Sequence, residues 1–455
     1  MKTIGSLSIK NSREIKESRI GIGFECLDRD LFDPEKCYDL FAATGAKFAR
    51  CQTGWAKTEQ QKGVYDWKWL DDIVDNLIAR GVTPWFNVGY GNPIYMTDCN
   101  NPTAVGFPPT NYGEEVVEAW VSFVKELAKH FRGRVTHYEI WNEPDSEGFW
   151  QPQLPGGKKY GELVALTGNA IKSVLPDAKI GACAAGSRTP FLKALFDAVT
   201  PDGLDFFCTH SYSRIPEIAR DNTNYPQIYR IMKDKNMAKT ELWMGECGHA
   251  SWHPIGHFAV SEGGGSEHRQ AVWQLRRAMC DFRAGLRMTS FFMIVDLWQK
   301  NYQTATRAEK RPAAQGILNG ITYTPKLSHT AISCLSNILG GNTLPIHSTL
   351  PATLSAPLTT GQPCPLSVSF VNDGHEMFAY WIPYDVTEER GVTGTCSVTF
   401  DQKANIKNPV ILDMLSGEVS IPDEGDWNME TATVKNLPIG EYPFVICDRS
   451  AIEVI

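Results

Sequence analysis

No stretch of this chain approaches the roughly 20 consecutive apolar residues of a membrane-spanning helix. The densest apolar run, Phe291–Val295, is cut off at Asp296. Positive charge is in short supply, with Lys+Arg at 44 against Asp+Glu at 52 and a net charge of −8. That balance argues against nucleic acid or an anionic membrane as a partner. The 12 cysteines include no Cys-x-x-Cys pair, and no Asn-x-Ser/Thr acceptor has a non-proline middle residue. Cys51, Cys183, Cys208 and Cys247 fall in or beside apolar runs, where a thiol packs as a small hydrophobe. Met1–Leu7 lacks the apolar centre of a signal peptide. A cytoplasmic protein with reduced thiols is therefore expected. Repeats and low-complexity tracts are also missing.

What is present is length and alternation. At 455 residues the chain has room for one large domain and a smaller one. Apolar runs predict strands at Ile20–Cys26, Lys47–Thr53, Val82–Val88, Val135–Asn142, Lys179–Ala184, Leu204–His210, Leu242–Glu246 and Thr289–Val295. Amphipathic stretches predict helices at Pro34–Thr44, Trp67–Arg80, Gly113–His130, Lys158–Leu175 and Lys326–Leu339. Eight such alternations predict an α/β fold, a (β/α)8 TIM barrel over residues 19–341. Past Gly340-Gly341 the texture becomes Pro- and Thr-rich, with apolar runs at Leu366–Val371, Met377–Ile382 and Val410–Asp413. These predict a β-sandwich over 342–455, joined by a strand from the alternating Thr3–Ile9 within residues 1–18.

Two predicted strands end on a carboxylate. The fourth runs Tyr138-Glu139-Ile140-Trp141-Asn142-Glu143 and is stopped by Pro144; the seventh runs Leu242-Trp243-Met244-Gly245-Glu246. Strand ends are rigid and face the loop layer of a barrel, where substrate arrives. Strands four and seven lie across an eight-stranded barrel from each other, so Glu143 and Glu246 can meet over its mouth. Two facing carboxyls are the equipment for cleaving a glycosidic bond, one as proton donor and one as nucleophile. Glu143 is expected to be the donor and Glu246 the nucleophile. The nucleophile needs a cationic or hydrogen-bonding partner, and Arg50 on strand two is the candidate, with Tyr212 offering a further donor. Asn142 is placed to hold a sugar 2-hydroxyl.

Trp141-Asn142-Glu143-Pro144 followed by Gly245-Glu246 resembles clan A of the glycoside hydrolases, and within it family 39, that of β-xylosidases and α-L-iduronidases. Tyr323-Thr324-Pro325-Lys326 is similar to the clan's Pro-Lys-Pro segment before the last helix. The resemblance implies retaining hydrolysis, an acid/base on strand four, a nucleophile on strand seven, the strand-two Arg50 and a strand-six His210-x-Tyr212. It departs on strand eight, where the clan often carries a sugar-binding Trp and this chain reads Phe291-Phe292-Met293. Trp298 is the candidate substitute.

Glu25 is a candidate for substrate contact and Glu139 for a supporting acid. His249, His253 and His257 repeat at four-residue spacing, but Pro254 and Gly256 interrupt any helix, and no metal is expected. Gly263-Gly264-Gly265 lacks the Lys-Ser/Thr of a phosphate loop, and no cofactor is expected. Trp55, Tyr90, Trp150, Trp252 and Trp298 fall near strand ends, where rings stack on sugar faces. The expected partner is an oligosaccharide or glycoside. The competing functions are a non-catalytic carbohydrate-binding barrel, which normally loses one acid, and a transglycosylase using the same two. Self-association into a homo-oligomer is left open.

Overall fold

A computed structural model describes residues 1–96, 98–252, 265–297, 313–346, 352–356, 362–401 and 404–455. Its centre is a closed parallel barrel of eight strands: Ile20–Gly23, Phe48–Gln52, Thr83–Val88, His137–Ile140, Lys179–Ala184, Phe206–Ser211, Glu241–Cys247 and Thr289–Phe291. Each strand pairs with the next, and Ile20–Gly23 closes the ring against Thr289–Phe291. Its interior is packed rather than open: Trp85, Cys183, Phe206, Cys208, Trp243 and Met288 form one buried plug.

The helices outside follow from amphipathic pattern and end chemistry. Glu114–His130 turns Trp120, Phe123, Val124 and Leu127 to the barrel, with Glu114 and Glu115 in its first turn and Lys129 and His130 in its last. Those charges oppose the helix dipole at both ends. Ser266 accepts from the Arg269 amide at 3.1 Å and caps Glu267–Arg283. Two helices absent from the sequence reading, Thr189–Ala198 and Tyr225–Asp234, each begin at a proline in their first turn. The predicted helix Pro34–Thr44 is divided, with a 3-10 turn at Pro34–Lys36 ahead of Tyr38–Ala43. No described helix is long and apolar enough to cross a membrane.

Four strands stop short of their predicted ends, the second by a single residue at Gln52. The first ends at Gly23 because the chain turns through Cys26 at φ 69°, and the eighth ends at Phe291. The fourth ends at Ile140, because Trp141 and Glu143 adopt left-handed backbone, φ 66° and 41°.

Beyond the barrel lie two antiparallel sheets, of seven and four strands. In the larger, Leu366–Asn372 and His375–Trp381 form a hairpin whose Asp373-Gly374 turn has positive φ at both residues. That is the turn whose twist suits paired strands. The N-terminal strand Lys2–Ser6 joins the edge of the same sheet by pairing with Glu418–Ile421. Barrel and sheets share one continuous hydrophobic core.

Candidate active site

Arg50 is the hub of the barrel mouth. It is wholly buried, and its planar guanidinium lies over Trp85, 5.5 Å from the ring centre. A guanidinium carries five N–H donors, and here each has an acceptor. Nε and Nη2 grip Glu139 in a two-pronged pair, both at 2.9 Å. The second Nη2 hydrogen goes to Asn142 Oδ1, and Nη1 divides between Glu25 Oε2 and Glu246 Oε2, all at 2.8 Å. One arginine on strand two therefore ties together strands one, four and seven.

Glu246 takes its second bond from the Tyr212 hydroxyl, on Oε1 at 2.5 Å. Glu143 reaches the same space by the strained turn after strand four. Left-handed backbone in a residue other than glycine costs on the order of 1–3 kcal/mol, and the surroundings hold the turn in place. Asn87 donates to the Trp141 carbonyl at 2.6 Å and Trp141 Nε1 to the Phe149 carbonyl at 2.6 Å. Asp145 accepts the amides of Ala185 and Gly186 at 2.7 and 2.8 Å, fastening the turn to strand five. A carboxylate oxygen of Glu143, one of Glu246 and a nitrogen of His210 all lie within 4.8 Å of one another.

His210 sits beneath, with Nδ1 2.9 Å from Glu143 Oε1 and Nε2 3.8 Å from Glu139 Oε1. Gly245 makes room for it: a side-chain carbon there would meet Cys208 at 2.7 Å and His210 Nε2 at 3.4 Å. Burial opposes a charge on this imidazole, but Glu246, Glu139 and Glu143 outweigh it and push His210 up to about 10. Burial likewise opposes a charge on Glu139, yet Arg50 and His210 hold it down at about 2. Glu25 goes the other way. Burial dominates Arg50 there, with Glu246 and Glu139 adding to it, and the group rises to about 8. Burial and the neighbouring charges therefore set His210 and Glu25 above their ordinary values and Glu139 below it.

These shifts predict how stability depends on pH. Folded His210 keeps its proton to about 10, against an ordinary 6.5, so its contribution is complete below 6.5 and is lost as pH rises through 10. Folded Glu25 keeps its proton to about 8 against 4.5, which also lowers stability as pH rises. Between pH 6.5 and 8 the folded chain holds two protons that the unfolded chain has released. Thermal melts from pH 6.5 upward are expected to show a falling Tm, with a shallower fall in His210→Asn. Equal slopes in the two proteins would show that His210 is not charged in the folded state.

The structure gathers Arg50, Asn142, Glu143, His210, Tyr212, Glu246 and Glu25 at one mouth, although Glu25 is buried and its contacts run to Arg50 rather than outward. Trp55 is a correction. It is fully buried in the outer layer, stacked on Tyr95 and Phe123 and edge-on to Trp120, with Nε1 donating to Glu59 at 2.6 Å. A ring with no free face cannot bind sugar. Tyr90 and Trp150 are buried against Trp141 for the same reason, a strand-end position filled by packing. Trp55→Ala is expected to cost about 3–5 kcal/mol of stability, read as a lowered Tm, with KM unchanged below the melt. A raised KM at full folding would restore the sugar-stacking role. Trp298, His253, His257, Gly263 and Gly264 lie outside the described residues. Sequence reasoning ranked Glu139 only as a supporting acid and missed Asn87 and Asp145; Glu139 and Asp145 flank the Asn142-Glu143 pair in the sequence, which was the available signal, whereas Asn87 lies on strand three.

The sequence model of Glycosyl hydrolases family 39 matches residues 49–240. A beta-xylosidase of Geobacillus stearothermophilus is 27% identical over 173 residues, covering 34% of this chain and 32% of the relative. The match thus spans about a third of that relative's length. Among solved structures, a family 39 glycoside hydrolase from the gut symbiont Bacteroides cellulosilyticus WH2 has a TM-score of 0.68 at 18% identity, over 95% of this chain and 81% of its own. A family 30 subfamily 8 xylanase from Clostridium acetobutylicum has a TM-score of 0.62 at 13% identity, over 98% and 97%. At these identities the structural likeness is one of fold. The chain is similar to the family 39 glycosyl hydrolases, in sequence over the stretch that carries Arg50, Asn142, Glu143, His210 and Tyr212, and in fold over nearly its whole length.

Proposed function

We propose that the protein is a retaining glycoside hydrolase that removes a terminal sugar from an oligosaccharide or glycoside through a covalent glycosyl-enzyme. One observation carries this reading: carboxylate oxygens of Glu143 and Glu246 approach within 4.8 Å across the barrel mouth. Retaining enzymes keep their carboxyls about 5–5.5 Å apart, whereas inverting enzymes need about 6.5–9.5 Å to admit a water. A closest approach of 4.8 Å or less supports the retaining geometry over the inverting one.

In the first step Glu143 gives its proton to the leaving oxygen while Glu246 Oε2 or Oε1 bonds to the anomeric carbon. Arg50 and Tyr212 orient the attacking carboxylate and must release it as its charge is spent. The new Glu143 carboxylate lies 2.9 Å from His210 Nδ1, which stabilises it. In the second step Glu143 takes a proton from water, which breaks the ester at Glu246. Asn142 has its oxygen committed to Arg50, so only N–H donors remain for a sugar hydroxyl. That fits a 2-hydroxyl contact which tightens in the transition state. Retention of both acids speaks against a barrel that only binds sugar.

The test is a panel of aryl xylosides, arabinosides, galactosides, mannosides, glucosides and glucuronides. The first-formed sugar is followed by proton NMR. Retained anomeric configuration is expected; inverted product, or no turnover of any glycoside, would overturn the reading.

A further inference from the structure

Tyr212, the hydroxyl donor to Glu246, stands at the start of a segment, Tyr212 to Glu217, that has no helix or strand of its own. Its shape is imposed from outside. The helix Glu267–Arg283 holds it at three points. Trp273 Nε1 donates to the Ser213 carbonyl at 2.8 Å, and Arg277 Nη1 to the Pro216 carbonyl at 2.9 Å. Arg276 grips Glu217 with both prongs, Nε on Oε1 at 2.7 Å and Nη2 on Oε2 at 2.6 Å.

The β-sandwich reaches the same segment. Trp381 Nε1 donates to Glu217 Oε1 at 2.8 Å, and Arg214 pairs with Asp385 at 3.0 Å. Arg276 spends its remaining Nη1 on the Tyr384 carbonyl at 2.8 Å, so one buried guanidinium spans both units. Burial works against a charge on Glu217, but Arg276 and Trp381 outweigh it and keep the carboxylate ionised. An apolar contact would join two domains at least as firmly as a buried ion pair. What the forked pair adds is a defined position, because planar two-point bonds fix distance and angle together.

We propose that the β-sandwich is a working part of the active site: through Trp381 and Glu217 it sets the position of Tyr212, and with it the hydrogen bond on the nucleophile. Trp381 and Glu217 are positioning residues, acting through Tyr212. The proposal rests on the retaining-hydrolase reading.

The experiment is a double-mutant cycle on the full chain, using the aryl glycoside that the unaltered protein turns over best. Tyr212→Phe removes one preorganised donor and is expected to lower kcat about 10²-fold. Trp381→Phe keeps an aromatic ring in place but removes the indole N–H together with the second ring of a fully buried side chain, so it is assayed well below its own melting temperature. It is expected to lower kcat about five- to tenfold with KM within about twofold, the range of coupling within one hydrogen-bonded network. In the double variant the second change is expected to add less than about twofold, because the hydroxyl it would misplace is gone. The rate of covalent labelling by a 2-deoxy-2-fluoro glycoside should follow the same pattern. Multiplying losses, or an unchanged kcat in Trp381→Phe, would overturn the proposal. Glu217→Gln supplies a second, isosteric reading of the same coupling, and if it fails to fold the Trp381 cycle decides. An unaltered protein that turns over no glycoside would instead remove the functional reading, and this inference with it.

Discussion

Glu246→Ala is expected to lower kcat by roughly 10⁴–10⁶-fold, the scale on which loss of a covalent nucleophile is felt. The physical reason is that no other group can replace it. Glu25 shares Arg50 Nη1 with Glu246, but it is buried and held by Arg50. Glu143, in the proposed mechanism, serves the leaving group on the other side of the anomeric carbon. The substitution leaves a small space lined by Arg50 and the Tyr212 hydroxyl, both donors. A small anion such as azide suits that space and attacks the anomeric carbon from the face Glu246 used. One displacement replaces two, so the product is a glycosyl azide of configuration opposite to the substrate. Azide-dependent recovery with that product, followed by NMR, is the expected result. Undiminished turnover without azide would remove the nucleophile assignment.

Glu143→Ala should split substrates by leaving group. An activated phenolate departs without protonation, so formation of the glycosyl-enzyme from a dinitrophenyl glycoside should fall by less than about tenfold. An unactivated disaccharide needs the proton and should lose about 10²–10⁴-fold. Breakdown of the intermediate also loses its base, so the activated substrate should show a burst of phenolate before a slow steady state. Azide should speed that second step and give a product of retained configuration, because here two displacements occur. A uniform loss across leaving groups, with no burst, would show that Glu143 is not the proton donor.

The legible part of this site was the part written in strand patterning. Apolar runs closed by Glu143-Pro144 and by Glu246 place two acids on the rim of any eight-fold barrel, because parallel strands all end on the same face. Arg50 was legible too, since a charge inside a barrel strand requires a partner. The failures share one cause. Trp55, Tyr90 and Trp150 look the same in sequence whether they face sugar or core, and packing against Trp120, Phe123 and Trp141 chose the core. Helices at Thr189–Ala198 and Tyr225–Asp234 went unread although each opens with proline in its first turn. The same residue that breaks a helix interior also starts one.

By itself the sequence determined the alternation of elements, the barrel it closes into and the order in which the two acids reach its rim. These depend on hydrophobic period and strand ends, which are local in the chain. Only the tertiary structure decided how the five N–H groups of Arg50 are shared among Glu25, Glu139, Asn142 and Glu246. It also decided that Trp141 and Glu143 turn left-handed, and that a tryptophan more than a hundred residues downstream braces the segment of Tyr212. Such choices are made by groups distant in sequence competing for the same few donors in a space from which water is excluded. Sequence spacing carries no measure of that competition.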